Sequence, residues 1–379
     1  MAYRFKHEES FGDGLHRIGA EQFKQISGGL EAAPVPAAVH AVRKCIKRLR
    51  ALLQLVRPGI GEAGFKRENV RLRDAARLLS GARDRTVLAS TIVWLEQHAD
   101  DADQAAFDVL RAQLSSDQPS PEEIDAASLD RVRWILAKAE QGWMKLRLEP
   151  ASLAPLIAGL GHVHQRCAHA FDVAYGKDSD EAQRDHAFHD WRKAVQQHWR
   201  HMRLLERGWP DYMTARAALA NELSDLLGTA QDLTLLVGHI ERVAAADGSG
   251  LTSKQARRLI ALARRQQQAL RNAARTVGER LLAEGTAGHV RRISLYWTTA
   301  EQIRPLEAVK AVRTVAKHDT PAAGIEAPGA GGEQRAAALR AKSSNAKSSS
   351  TKSSDTKSPS RIKPKRTRST KTRSPGRAR

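Results

Sequence analysis

From residue 7 to about residue 305, apolar residues recur at three- and four-residue spacing in segments rich in Ala, Leu, Arg, Glu and Gln. β-Branched runs with period-two alternation are missing, so the pattern predicts helices and no strands. Breaks fall at Ser27-Gly28-Gly29 with Pro34 and Pro36, at Pro58-Gly59, at Gly81, at Pro119 and Pro121, at Pro150, at Gly176, at Gly208 with Pro210, and at Ala246 to Gly250. They delimit helices of ordinary bundle length. After Lys317 the periodicity stops and the chain turns to Ala, Gly and Pro, then to Lys- and Arg-bearing Ser/Thr stretches. Such a segment has too little to bury to offset the entropy of ordering it, and a disordered basic tail is expected over 318–379.

The helical part contains a repeat. Val39-His40-Ala41-Val42-Arg43-Lys44 matches Phe188-His189-Asp190-Trp191-Arg192-Lys193, and Leu78-Leu79-Ser80-Gly81-Ala82-Arg83-Asp84 matches Leu226-Leu227-Gly228-Thr229-Ala230-Gln231-Asp232. The offsets, 149 and 148 residues, are nearly equal although the two matches are far apart in the chain. A duplicated helical unit is the expectation, each half a bundle of several helices, with residues 1–317 as one domain, halves of about 7–148 and 149–310, and the tail following.

Projected at about 100° per residue, the stretch Pro36 to Arg57 gathers Val39, Val42, Cys45, Ile46, Leu49, Leu52, Leu53 and Val56 on one side as a buried stripe. His40, Arg43, Lys44, Lys47, Arg48 and Arg50 fall on the opposite arc with no acid among them. Like charges three and four residues apart repel, so stability alone would interleave glutamates, and their absence points to an anionic partner. A solvated basic face is the plain alternative for one such helix, but the second copy repeats the arrangement with His189, Arg192, Lys193, Arg200 and Arg203 opposite Trp191, Val195, Trp199 and Met202. Gln196 and Gln197 stand where Lys47 and Arg48 stand in the first copy, so the N-terminal half is expected to bind more strongly. Arg67, Arg71, Arg73, Arg77, Arg83 and Arg85 could extend the surface, although Glu68, Asp74 and Asp84 lie among them; Asp84 also suits a helix cap. Arg17 and Arg166, on the opening helix of each half, are further contributors.

Charge reinforces this reading. The chain carries 62 Lys+Arg against 42 Asp+Glu, a net +20, beyond what solubility requires. Residues 318–379 hold 15 Lys+Arg and 4 Asp+Glu, or +11, which leaves 47 against 38, or +9, for residues 1–317. Tail and body are therefore basic separately. Two cysteines, Cys45 and Cys167, make no disulfide framework, the charged start MAYRFKHEES does not resemble a secretory signal, and no run approaches the roughly 18 apolar residues of a membrane span. A cytoplasmic protein without membrane association is expected.

The segments VHAVRKCIKRLRALLQLVRP and FHDWRKAVQQHWRHMRLL, followed by RLLSGARDRTVL and LLGTAQDLTLL, resemble the duplicated core of the CHAD family, the conserved histidine α-helical domain, over about residues 7–305. The resemblance implies two pseudo-symmetric four-helix bundles whose basic helices line a groove holding inorganic polyphosphate, and association with polyphosphate granules. Carried over by position, it assigns the ligand to His40, Arg43, Lys44, Lys47, Arg48, Arg50, His189, Arg192, Lys193 and Arg200; Arg77, Arg83, Arg166 and Arg203 join them as candidates from the charge pattern. Each of His40 and His189 is expected either to donate to a phosphate or to serve as a buried structural group. Histidine pairs at 186/189 and 198/201, and the set 162/164/169, have metal-like spacing, but their cationic neighbours oppose a metal and none is expected. No glycine-rich phosphate loop or magnesium-type carboxylate set is found, so binding without catalysis or cofactor is the expectation. The alternatives are nonspecific nucleic-acid binding driven by the tail, placing the protein at the nucleoid, and a scaffold that docks an acidic protein.

Overall fold

The first helix starts where Ser10 accepts a hydrogen bond from the Asp13 N–H, and the same capping logic recurs down the chain at Asp125, Asp180 and Thr252. At Asp180 and Thr252 a glutamine three residues on returns the bond, completing capping boxes. In this computed structural model, residues 3–31, 36–79, 81–99, 103–116, 125–148, 152–176 and 180–318 are described, with side chains left aside at 36, 81–84, 181–182 and 305–318. The 318–379 tail, apart from His318 at its start, and the Arg83 and Asp84 side chains lie outside the described residues.

Ten α-helices and no strands are found among them: α1 (Phe11–Leu30), α2 (Pro36–Leu78), α3 (Gly81–Glu96), α4 (Gln104–Ser116), α5 (Ala126–Trp143), α6 (Ala154–Tyr175), α7 (Glu181–Leu204), α8 (Pro210–Ala245), α9 (Ser253–Leu282) and α10 (Thr286–His318). The protein is all-α, as the periodicity requires. The expected break at Pro58-Gly59 is instead a kink within α2: Pro58 removes one N–H from the ladder, and three residues later Gly61 takes φ +75°, a conformation that favours glycine. Arg57 spans the kink, paired with Glu62 and lying over the Phe65 ring at 4.5 Å. Nor do Ser27, Gly28 and Gly29 end α1, which runs on to Leu30.

Three cores follow. In the first, α1, α5 and both arms of α2 enclose Ile18, Phe23, Leu49, Leu72 and Trp143, all buried, and the Trp143 indole N–H donates to the Leu15 carbonyl at 3.0 Å. The second packs α6, α7, α8 and α9 around Trp191 and Leu223. These are the related bundles. They meet where α6 crosses α2, and a Cβ on Gly159 would overlap the Leu55 carbonyl, so the close approach needs glycine. The third core lies farther along the α8–α9 pair, where α3 and α4 of the first half cover Leu236, Ile240 and Leu259. The stretch that is one 36-residue helix in the second half, α8, is divided in the first between the second arm of α2 and α3.

Candidate polyanion-binding groove

Every residue of the expected apolar stripe on α2, from Val39 to Val56, is buried, which forces the cationic arc outward. The second arm of α2 and helix α7 lie on different flanks, and the arc divides between them. Arg43 donates to the Ala76 carbonyl at 2.6 Å and Arg50 to Asn69 Oδ1 at 3.0 Å, so both turn toward the second arm. Burial, with Arg73 nearby, lowers the Arg50 pKa below the usual guanidinium value. Lys44 and Arg48 turn the other way, into a groove of about 550 Å³ that Arg200 and Arg203 of α7 enter from the opposite wall. Tyr3, Arg4, Gln22 and Trp199 complete its lining, with Thr214, Ala218 and Asn221 from α8.

The groove is built by long-range contacts. The Phe5 N–H bonds to the Leu204 carbonyl, which lays the N-terminal segment along the end of α7, and the Tyr3 hydroxyl donates to the Arg48 carbonyl at 2.7 Å. The Arg48 guanidinium sits 5.5 Å from the Tyr3 ring centre and donates to Gln22 Oε1 at 3.3 Å. Arg200 is 9% exposed, lies over the Trp199 ring at 4.9 Å and donates to the Gln196 carbonyl at 2.6 Å. Its pKa is lowered, chiefly by burial; Tyr3 opposes the shift and Arg48 adds to it. Glu206 is the groove's one acidic lining residue and is spent on the rim, bonded to Arg4 at 2.6 Å and to Arg203 at 3.0 Å. Among the described residues no carboxylate pairs with Lys44, Arg48 or Arg200. They form a cationic wall held without a counterion.

The other candidates lie elsewhere. His40 and Arg77 are exposed and Lys47 is half-buried, none of them lining the groove. In the second copy His189 is half-buried, its pKa lowered by burial and then by Lys193. Arg192 covers Gly228, where a Cβ would come within 2.9 Å of the guanidinium; Lys193 pairs with Asp190 at 3.1 Å, and Arg166 donates to Gln197 at 3.2 Å. Arg17 is neutralised by Glu9 and Glu21, and Arg67 and Arg71 share the fully buried Glu68, so none of the three extends the cationic wall. Tyr3, Arg4 and Gln22 were invisible to spacing arguments because well over a hundred residues separate them from α7, and Trp199, expected in the apolar stripe opposite the cations, instead lines the groove beside Arg200.

Four histidines are buried beside the groove. His164, His198 and His289 group with ring centres 4.6 to 5.8 Å apart, and His201 bonds the Ala51 carbonyl of α2 at 2.9 Å. Arg216 reaches His198 Nε2 at 3.3 Å. Among the described residues no group of three or more His, Cys, Asp or Glu is arranged to hold a metal, and no helix is long and apolar enough to cross a membrane.

Fold and site together define an all-helical protein with a cationic groove at the junction of two related bundles. Residues 17–241 match the family model described as CHAD domain, and the chain belongs to that family. Two solved structures share the fold. PptA from Streptomyces chartreusis superposes with a TM-score of 0.52 at 16% identity, covering 73% of this chain and 100% of its own. The CHAD domain from the plant Ricinus communis gives 0.52 at 19% identity, covering 75% and 95%. No curated protein matches the chain.

Proposed function

We propose that this protein binds inorganic polyphosphate in the groove between α2 and α7, without turning it over, and resides where polyphosphate accumulates. The observation that carries the reading is the trio Lys44, Arg48 and Arg200, which converge on one groove with no carboxylate partner. Lys44 is exposed, but Arg48 is half-buried and Arg200 buried, and drawing like charges together while taking them out of water is unfavourable unless an anion joins them. A linear polyphosphate suits the wall, since it offers repeated equivalent oxygens and no base edge to be read, so charge spacing can carry the whole selectivity. Arg48 and Arg200 can fork onto phosphate oxygens while Lys44 acts as a mobile point charge. Membership of the CHAD family supports the same ligand, through the resemblance of the two basic helices to the family's core.

The test is calorimetric titration of the full chain with polyphosphate at 0.15 M salt. Lys44→Ala, Arg48→Ala and Arg200→Met combined should weaken binding by about tenfold or more, equivalent to roughly 1.4 kcal/mol. Removing the same charge from outside the groove, with Lys66, Lys138 and Lys145 all changed to Ala, should cost less than about threefold. Equal losses in the two variants would mean a general cation surface and end the groove assignment.

A further inference from the structure

The cation-rich face of α9 has no part in the groove. Apart from Glu279, every charged residue of this helix is basic, and Lys254, Arg257, Arg258, Arg264, Arg265, Arg275 and Arg280 are exposed. Helix α8 packs against both α7 and α9 and carries Asp211, Glu222, Asp225, Asp232 and Glu241 against Arg216 and Arg242. A net-acidic helix therefore separates the groove from the α9 face, and the two positive surfaces are distinct.

The charges on α9 are arranged in two rows. At about 100° per residue, Lys254, Arg258 and Arg265 fall on one flank and Arg257, Arg264 and Arg275 on the other. Ala261 and Gln268 lie on the spine between them, with the Gln268 amide bonded to Asn272 on the first flank at 2.9 Å, and Glu279 falls on the same line past Arg275. Rows on the two flanks of a helix about 10–12 Å across put their charged tips roughly 10 Å apart, and Lys254 to Arg275 spans about 32 Å. Arg258 reaches the buried Asp103 at 3.1 Å and Arg275 lies over the Tyr175 ring at 5.4 Å, whereas Arg264 with Glu241 at 4.0 Å and Arg275 with Glu279 at 3.0 Å are pairs with exposed carboxylates. Pairs of that kind contribute about 0–1 kcal/mol and exchange readily for another anion. Among the described residues Lys254 and Arg265 have no bonded partner.

A single file of phosphates would engage one row and leave the other idle. Two rows flanking a narrow neutral spine match a ligand with phosphates on both sides of a cleft, and the major groove of B-form DNA is about 12 Å wide with one turn in about 34 Å. We infer that the exposed face of α9 is a second anion site, which lies along the major groove of duplex DNA and holds its two backbones without reading sequence. Duplex RNA is disfavoured because its A-form major groove is deep and too narrow for a helix.

The experiment uses the full chain and three probes: a 20-base-pair DNA duplex, an RNA duplex of the same length, and polyphosphate. Lys254→Ala, Arg257→Ala, Arg264→Ala and Arg265→Ala are combined at exposed positions where alanine favours the helix, so the circular dichroism spectrum should not change. DNA affinity at 0.15 M salt should fall about tenfold or more, and the slope of log affinity against log salt should flatten by about 3 to 4, as expected for four lost phosphate contacts. Polyphosphate affinity should stay within about twofold. A charge-matched control, with Lys66, Lys138, Lys145 and Arg147 changed to Ala, should lower DNA affinity less than about threefold. A DNA loss no larger than the control's, or an equal loss for duplex RNA or polyphosphate, would overturn the inference.

Discussion

Arg200 has nine-tenths of its surface removed from water, and among the described residues it is met by a main-chain carbonyl, the face of Trp199 and the nearby Tyr3, with no carboxylate. A guanidinium in that position weakens the free protein and strengthens the bound one, because the anion supplies what the fold withholds. The two effects have opposite signs and can be separated by one substitution. Arg200→Met keeps the stem volume and removes the charge. Its unfolding temperature should equal or exceed that of the unmodified chain, while the polyphosphate dissociation constant rises about tenfold, in the range of one lost charge-assisted hydrogen bond of roughly 1.5–3 kcal/mol. Scanning calorimetry and titration read the two quantities separately, and a destabilised variant with unaltered affinity would sink the argument. The sequence marks Arg200 only as one of several cations along α7. What singles it out is the cover provided by Trp199 and the N-terminal segment, which no spacing rule contains.

Helix α7 shows how one element serves two purposes. Arg200 and Arg203 face the groove, whereas His198 and His201 point into the protein and meet His164 of α6, His289 of α10 and Arg216 of α8. Thr286 lies 3.0 Å from His164 Nδ1, and the charge of Glu284 acts on His164 and on Arg216. Burial holds all four imidazoles neutral: those of His164 and His201 are lowered to about 4, that of His289 to about 2, and that of His198 well below the ordinary histidine value. Arg216 opposes the protonation of His164, His198 and His289 as well. Because the folded pKa values lie below the unfolded one near 6.5, their contribution is complete above pH 6.5. It is lost as pH falls toward the folded values, since the unfolded chain binds the protons, by about 1 kcal/mol per histidine per pH unit at most positions in that window. Urea unfolding at pH 7.5, 6.0 and 5.0 should show this fall, and His289→Leu should make it shallower. The variant should also gain stability at pH 7.5, because both ring nitrogens of His289 are buried with no hydrogen-bond partner among the described residues. An unchanged pH slope would show that the cluster is not the titrating unit. At this scale the apolar period was most legible, since it fixes the stripe of α2; the side-chain caps that start α1, α5, α7 and α9 come from the structure. The split of the cationic arc and the packing of α3 and α4 onto α8 and α9 were not legible, because pairings between distant helices leave no local trace.

Within the described residues positive charge is divided between two surfaces rather than pooled, the α2–α7 groove and the α9 face, and by composition residues 318–379 add a further +11. The composition announced the sum and the tail's share; the partition within the body follows from α8, whose acids stand between two basic helices. Separated sites on one chain can hold two polyanions at once, and joining them covalently raises the effective concentration of the second by amounts that free components do not reach. Polyphosphate on beads, mixed with full-length protein at 0.15 M salt, should therefore retain duplex DNA. Removing residues 318–379 should reduce the retained DNA by about fivefold or more, a modest fraction of the avidity a tethered second site can provide. The α9 face then accounts for the remainder. Supplying the separate 318–379 segment together with residues 1–317 should not restore retention, because a tail that is not attached brings DNA to itself and not to the bead. Restoration by the separate segment would show that the tail acts by bulk charge alone. No reduction on truncation would assign the whole of DNA retention to the body, and with it to the two rows on α9.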